Sequence, residues 1–330
     1  MKLFRTLILL IGGATFAYLL WKLDAAHVGR LLLKVRWGFA FILAQEAVPH
    51  FFNALGWRFA IPARHAGLFR FGELYRHRIQ GDGVNYLTPS ATLAGEYTRA
   101  LLIDNAVPAG IRVGCVVSAK CTQSLGQVVF VLLGLAVLAP GSIPVLAPYD
   151  GRIRWGALSI LAVLAAASAG YWSWGGRARK ASAEPHLLKA LPGQVSDFFL
   201  EHQARWWAST FFFMLGYAWT AVEVFAVCCF LGVRVGWQTA LLIEVLSNAA
   251  DMAFFMVPAK VGTQEASRTA ILYSLGLGAR NGLALGIVRH IRELAWAGFG
   301  LLLYTRELRK NPQASLRLDA AAKAPERTPA

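Results

Sequence analysis

Two stretches of the 330-residue chain set a glutamate three residues before an arginine inside otherwise apolar sequence: LTPSATLAGEYTRALL, with Glu96 and Arg99, and MVPAKVGTQEASRTAIL, with Glu265 and Arg268. Three residues apart on a helix, each pair shares a face and can form an ion pair. A lone charge at the centre of a bilayer costs about 2.5–3.5 kcal/mol. Such groups in a lipid-like chain therefore imply pairing or a wet cavity. Their donors suit a phosphate or hydroxylated headgroup.

The two stretches are copies. An offset of 169 residues pairs, without a gap, Asp82 with Asp251, Pro89 with Pro258, Glu96 with Glu265, Arg99 with Arg268 and Lys120 with Arg289. The same register pairs Leu102 and Ile103 with Ile271 and Leu272, the mark of an internal repeat. The glycines are less regular: Gly95 adjoins Glu96, whereas Gly262 precedes Glu265 by three. Downstream, Lys120 and Gln123 form one polar face, and Arg289, Arg292 and Glu293 form its counterpart. Two further stripes, Glu46–His50–Asn53 and Glu244–Asn248–Asp251, can line the same cavity as Asp82. Buried Glu–Arg pairs can also hold short helices in register without touching a substrate, and both readings stand at this point.

The elements that must position these groups are membrane helices. The chain is 56% hydrophobic and only 15% charged, and several apolar runs reach the roughly 20 residues needed to cross a bilayer. Spans are expected at about 3–21, 37–60, 111–139, 153–174, 206–231, 236–257 and 280–304. The first reads as a retained span and not a removed signal peptide. DAAHVGRLLLKVR, between the first two, reads as an interfacial amphipathic helix, and 176–205 as a basic connector followed by a second one. Residues 68–106 are too polar for an ordinary span. Pro89 suits a first helical turn with Thr88 as its N-cap, which predicts a short helix running to about Asp104. A short helix after a break reads as a re-entrant or half-helix element, tolerated only in protein or beside a cavity. Half-helices with inward N-termini build anion-friendly sites in transporters. The expected fold is all-α: a polytopic helical integral membrane protein with about seven or eight spans, an internal repeat (units at about 68–139 and 236–306) and two re-entrant elements. Residues 1–306 form the membrane domain and 307–330 a polar tail of disordered composition.

Other chemistries find no support. HExxH, GxSxG and the P-loop are absent, and each is the signature of a chemistry that needs it. The expectation is no enzyme, no cofactor and no metal. Cys115, Cys121, Cys228 and Cys229 lie in apolar segments without metal or disulfide spacing and read as packing thiols. The net charge of +15 is spread between spans, which suits topology and anionic lipid and not nucleic acid. Membrane lipids are the expected partners.

GDGVNYLTPSATLAGEYTRALL, KCTQSLGQVVFVLLGLAVL and VPAKVGTQEASR resemble the flippase-like membrane domain of lysylphosphatidylglycerol synthases. Within that family the resemblance is to the hopanoid-biosynthesis-associated membrane proteins, over about residues 1–306. It implies an inner-membrane protein of bacteria that moves lipids or lipid-linked molecules between leaflets, with a hopanoid as cargo. Position by position, the matching residues are Asn85, Pro89, Gly95, Glu96, Arg99, Pro258, Gly262, Glu265 and Arg268. Ala94 stands where a second glycine is common. The synthases add a soluble aminoacyl-transferase domain. With the last expected span ending at 304 and the chain at 330, the expectation is that no lysyl-lipid is made. Two other readings remain: a small-solute or proton-coupled carrier, and an accessory subunit beside lipid-biosynthesis enzymes.

Overall fold

The computed structural model describes residues 14–88, 93–104, 107–178, 198–199, 201–254, 257, 260 and 262–310. The described chain is all-α. In order, α1 covers 14–22, α2 Ala25–Val35, α3 Gly38–Gln45, α4 Ala47–Ala60, α5 Phe71–Leu87, α6 Leu93–Leu102, α7 Ala109–Leu138, α8 Asp150–Ala178, α9 Gln203–Leu231, α10 Trp237–Ala253, α11 Thr263–Ser274 and α12 Ala279–Lys310, with 3₁₀ turns at Ala63–Leu68 and Pro144–Tyr149.

Among the described residues three stretches are long and apolar enough to cross a membrane: Ala109–Leu138, Ala147–Gly170 and Gln203–Leu231. Only 6% of the second is buried within the protein, and it exposes Trp155, Ile160 and Val163. Water would penalise that apolar surface; hydrocarbon does not. The helix α12, at about 48 Å for its 32 residues, is long enough to cross but carries Arg289, Arg292 and Glu293 along it.

Helix order repeats along the chain. A 17-residue helix, a short helix and a long one appear as α5–α6–α7 and again as α10–α11–α12. The short members, α6 and α11, have 10 and 12 residues, about 15 and 18 Å, well under the roughly 30 Å of a bilayer core. The units are interleaved in space: α5 of the first packs along α12 of the second. Glycine makes that crossing possible. A Cβ on Gly83 would lie 2.8 Å from the Ala297 carbonyl, and one on Gly300 would meet the Ile79 carbonyl even closer. Backbones approach this closely only through small residues. Replacing Gly300 by leucine is expected to force the helices apart at a cost of about 1–3 kcal/mol, read as a lowered midpoint in thermal unfolding of purified protein, with Gly298→Leu, which meets open space, as the matched control.

Two apolar clusters hold the bundle. One joins Trp57, Phe198, Phe213 and Ala119 around α4, α7 and α9; the other joins Val224, Val227, Leu272, Leu285 and Val288 around α9, α11 and α12. The expected span 37–60 is instead two helices, α3 and α4, meeting at Glu46. Pro49 has no N–H to return to the Gln45 carbonyl, and its ring crowds that oxygen, so one continuous helix is disfavoured. Thr88 closes α5, its hydroxyl donating back to the Val84 carbonyl at 2.7 Å. Thr88, expected as the N-cap of the short helix, thus ends the helix before it, while Pro89, Pro258, residues 179–197 of the expected connector and second interfacial helix, and the tail from 311 lie outside the described residues. The first interfacial helix corresponds to α2, which buries Val28, Leu31 and Val35 and leaves Leu33 exposed.

Candidate functional site

In the first unit the site is built by α5, α6 and α7. Arg99, only 2% exposed, reaches from the short helix in two directions: Nη2 donates to Asp82 Oδ1 and Nη1 to Glu96 Oε2, both at 2.5 Å. The second Asp82 oxygen accepts from Arg78 Nε at 3.1 Å and faces His50 Nδ1 at 3.5 Å. Arg78 also donates to Gln123 Oε1 at 3.4 Å. Lys120 Nζ lies 3.4 Å from Glu96 Oε1. The short helix is tied to α5 at its start, where the Gly95 N–H donates to Asn85 Oδ1 at 2.6 Å.

The second unit repeats one of these links and replaces another. Arg268, 1% exposed, grips Asp251 with both terminal nitrogens, at 2.6 and 3.1 Å. Like Asp82–Arg99, this pair bridges the 17-residue helix before the break and the short helix after it. Lys260 Nζ donates to the same carboxylate at 2.9 Å. Glu265 does not pair with Arg268, contrary to the reading from spacing. Its Oε2 accepts from the Gly262 N–H at 2.9 Å and its Oε1 lies 2.8 Å from His290 Nδ1. Gly262 sits at φ +77°, a left-handed conformation that glycine adopts without strain. That turn aims the N–H at the Glu265 carboxylate, as in a capping box, and draws the side chain away from Arg268.

A chain of ion pairs then runs through the bundle. Arg289 donates to Glu223 at 3.0 Å and to Glu244 at 2.6 Å. Arg292 donates to Glu223 at 2.6 Å, to Glu46 at 2.7 Å and to Glu293 at 3.4 Å. Asn248 donates to Glu244 at 2.8 Å and accepts from Gln127 at 3.2 Å; Gln264 donates to Glu293 at 3.3 Å. Glu223 is wholly buried and shared by two guanidiniums. Desolvating charges is expensive and is offset only when each finds close partners, and here Arg289 and Arg292 each meet two or more carboxylates. The exposed ends are elsewhere. The side chains of Lys120 and Lys260 are 35% and 38% exposed and that of Asp82 is 34% exposed.

Most residues expected from sequence thus gather in neighbouring ion-paired groups that act on one another electrostatically. Asp82, Glu96, Arg99, Lys120 and Gln123 meet in the first half; Glu244, Asn248, Asp251, Arg268, Arg289, Arg292 and Glu293 meet in the second. The Glu46–His50 stripe splits between them, Glu46 going to Arg292 and His50 to Asp82. It therefore ties the halves together. Asn53 lies beside Gly216 of α9, and among the described residues no hydrogen bond joins it to the network. Arg289 does not follow its repeat partner: Lys120 meets the motif glutamate, whereas Arg289 turns to Glu223 and Glu244 and leaves Glu265 to His290.

Four titratable members were not expected. Glu223 had a visible signal, as the one carboxylate in the apolar 29-residue stretch of α9; an ionisable group at membrane depth implies a partner. Arg78 sits four residues before Asp82 on α5, a readable pair. Lys260 and His290 gave no such signal, since their partners lie across a turn or on another helix. Among the described residues no three His, Cys, Asp or Glu side chains gather to hold a metal ion.

The family model described as the lysylphosphatidylglycerol synthase TM region matches residues 6–299. Neither a curated protein nor a solved structure matches the chain.

Proposed function

Because the chain belongs to the family of the lysylphosphatidylglycerol synthase TM region, we propose that it moves a polar lipid between the leaflets of the bacterial inner membrane, without catalysing a covalent step. The observation that carries this reading is the pair of partly exposed lysines, Lys120 and Lys260. Each is anchored to a carboxylate of one repeated unit, Glu96 or Asp251, on a backdrop of buried arginines already paired with carboxylates. A lipid headgroup bearing phosphate or hydroxyls would displace the lysine from its carboxylate, a charge-assisted contact exchanged for another of similar strength. The arginines keep the carboxylates in place. In this reading the bundle crosses the membrane seven or eight times, and α6 and α11 are re-entrant elements whose N-termini face a wet cleft. A hopanoid with a hydroxylated side chain is the cargo we favour, and lipid-biosynthesis enzymes are the neighbours that would supply it.

The test is translocation by purified protein in liposomes that carry a fluorescent lipid in both leaflets, read with a membrane-impermeant quencher. Wild type should expose nearly all of the fluorophore, and the double variant Glu96→Gln with Glu265→Gln should leave about half protected. If wild type matches empty liposomes across phospholipids and hopanoid analogues, lipid movement is excluded. The reading as a small-solute carrier or a non-transporting accessory subunit then takes its place.

A further inference from the structure

The two repeated glutamates are treated differently. Glu96 meets Arg99 and Lys120, bases that stay charged. The network contains eight carboxylates (Glu46, Asp82, Glu96, Glu223, Glu244, Asp251, Glu265, Glu293), and seven of them lie within ion-pair distance of an arginine or lysine. Glu265 is the exception among the described residues: its one candidate cation is His290, 2.8 Å away. Against the eight acids stand seven permanent bases: Arg78, Arg99, Lys120, Lys260, Arg268, Arg289 and Arg292. The permanent bases therefore fall one short of the acids. Among the described residues two histidines touch the network: His50, 3.5 Å from an Asp82 that Arg78 and Arg99 already engage, and His290, 2.8 Å from the acid that no arginine or lysine meets. A buried net charge is heavily penalised, whereas one more proton would neutralise the whole.

We infer that the His290–Glu265 pair is a proton-binding site, occupied in the resting protein, and that release of its proton is coupled to cargo movement. The second half of that statement rests on the reading of the protein as a lipid translocator. Histidine changes charge near pH 6.5 when unperturbed, so it suits the task where arginine does not. The groups facing His290 are Glu265 on α11, Glu293 on its own helix, Lys260 before α11 and Tyr86 on α5; Glu223 of α9 and Glu46 at the α3–α4 junction are engaged by Arg289 and Arg292. The His290 side chain is 18% exposed, enough to exchange a proton with the cleft. Among the described residues the buried Tyr86 hydroxyl finds no hydrogen-bond partner, and its ring stands edge-on to the imidazole at 6.2 Å. In the first unit the position equivalent to His290 is Cys121, so the device belongs to one unit only. Losing the proton would leave Glu265 beside a neutral ring and free it to compete for Lys260 or Arg268.

Two measurements on the full chain test this. The first is nitrogen-15 NMR of labelled histidine in detergent micelles, with the His290 signals identified by their loss in His290→Gln. At pH 7.5 they should report a doubly protonated ring, while His65 in the 3₁₀ turn reports a neutral one. In Glu265→Gln, His290 should become neutral at that pH. A singly protonated His290 in wild type overturns the proton site. The second imposes a pH gradient of one unit on liposomes carrying the fluorescent lipid. Net lipid asymmetry should follow the gradient in wild type and cease to follow it in His290→Gln, with His65→Gln as control. Lipid that equilibrates at the same rate with and without the gradient overturns the coupling and leaves translocation standing. If no lipid moves under any condition while NMR shows a protonated His290, translocation and coupling both fall and the proton site stands.

Discussion

Replacing Glu223 by alanine is expected to destabilise the protein by about 3–5 kcal/mol, the cost of breaking a buried ion pair by removing one partner. Glu223 is wholly buried, and a single oxygen, Oε2, accepts from both Arg289 and Arg292. Without it Arg289 keeps Glu244, and Arg292 keeps Glu46 and a longer contact to Glu293. Arg289 Nε and Arg292 Nη1 then lose the negatively charged acceptor they share in the bundle interior. Glutamine should recover little, because an amide oxygen can accept the two hydrogen bonds but not balance the charge. Unfolding followed by tryptophan fluorescence in mild detergent reads the effect, with Glu73→Ala at the half-exposed start of α5 as a reference expected to shift by less than about 0.5 kcal/mol. A Glu223→Ala protein as stable as wild type would show that Arg292 and Arg289 are neutralised some other way, and the ion-pair chain would lose its structural meaning.

The second large effect concerns transport and should leave stability nearly untouched. Lys120→Met and Lys260→Met are each expected to lower lipid translocation about 10-fold, and the double variant about 100-fold. These factors correspond to roughly 1.4 kcal/mol per lost headgroup contact, at the low end for a hydrogen bond to a charged group. Folding tolerates the changes for a stated reason: Glu96 retains Arg99 and Asp251 retains both arms of Arg268, so no carboxylate is orphaned. The lysine ends are a third or more exposed, where ion pairs contribute little. The pair of variants therefore separates anchoring from cargo contact. If both translocate at the wild-type rate while Arg99→Ala and Arg268→Ala unfold, the network is scaffolding alone and the headgroup binds elsewhere.

The membrane character and the all-α class were readable from composition and from run length, because the cost of an exposed backbone in hydrocarbon leaves helices as the natural answer for long apolar segments. The pairing of positions 169 residues apart was readable too, and with it the positions of Asp82 and Asp251, Arg99 and Arg268. What these groups touch was not. Helical spacing reports neighbours three or four residues apart, so it favoured Glu265–Arg268 over Asp251–Arg268. The arginine can choose the aspartate only when the chain turns back between α10 and α11 and brings residues 17 apart together. The left-handed turn at Gly262, which draws Glu265 to its own helix N-terminus, is equally invisible to a periodicity. Glu223 and Glu46 come to Arg292 from helices far away in sequence, and His290 comes to Glu265 from α12. The amino-acid sequence by itself determined which charges must be buried, since it placed them within apolar helices. Tertiary structure alone decided which of them pair, because in a low-dielectric interior every ion takes the nearest partner in space, and nearness is set by how helices cross.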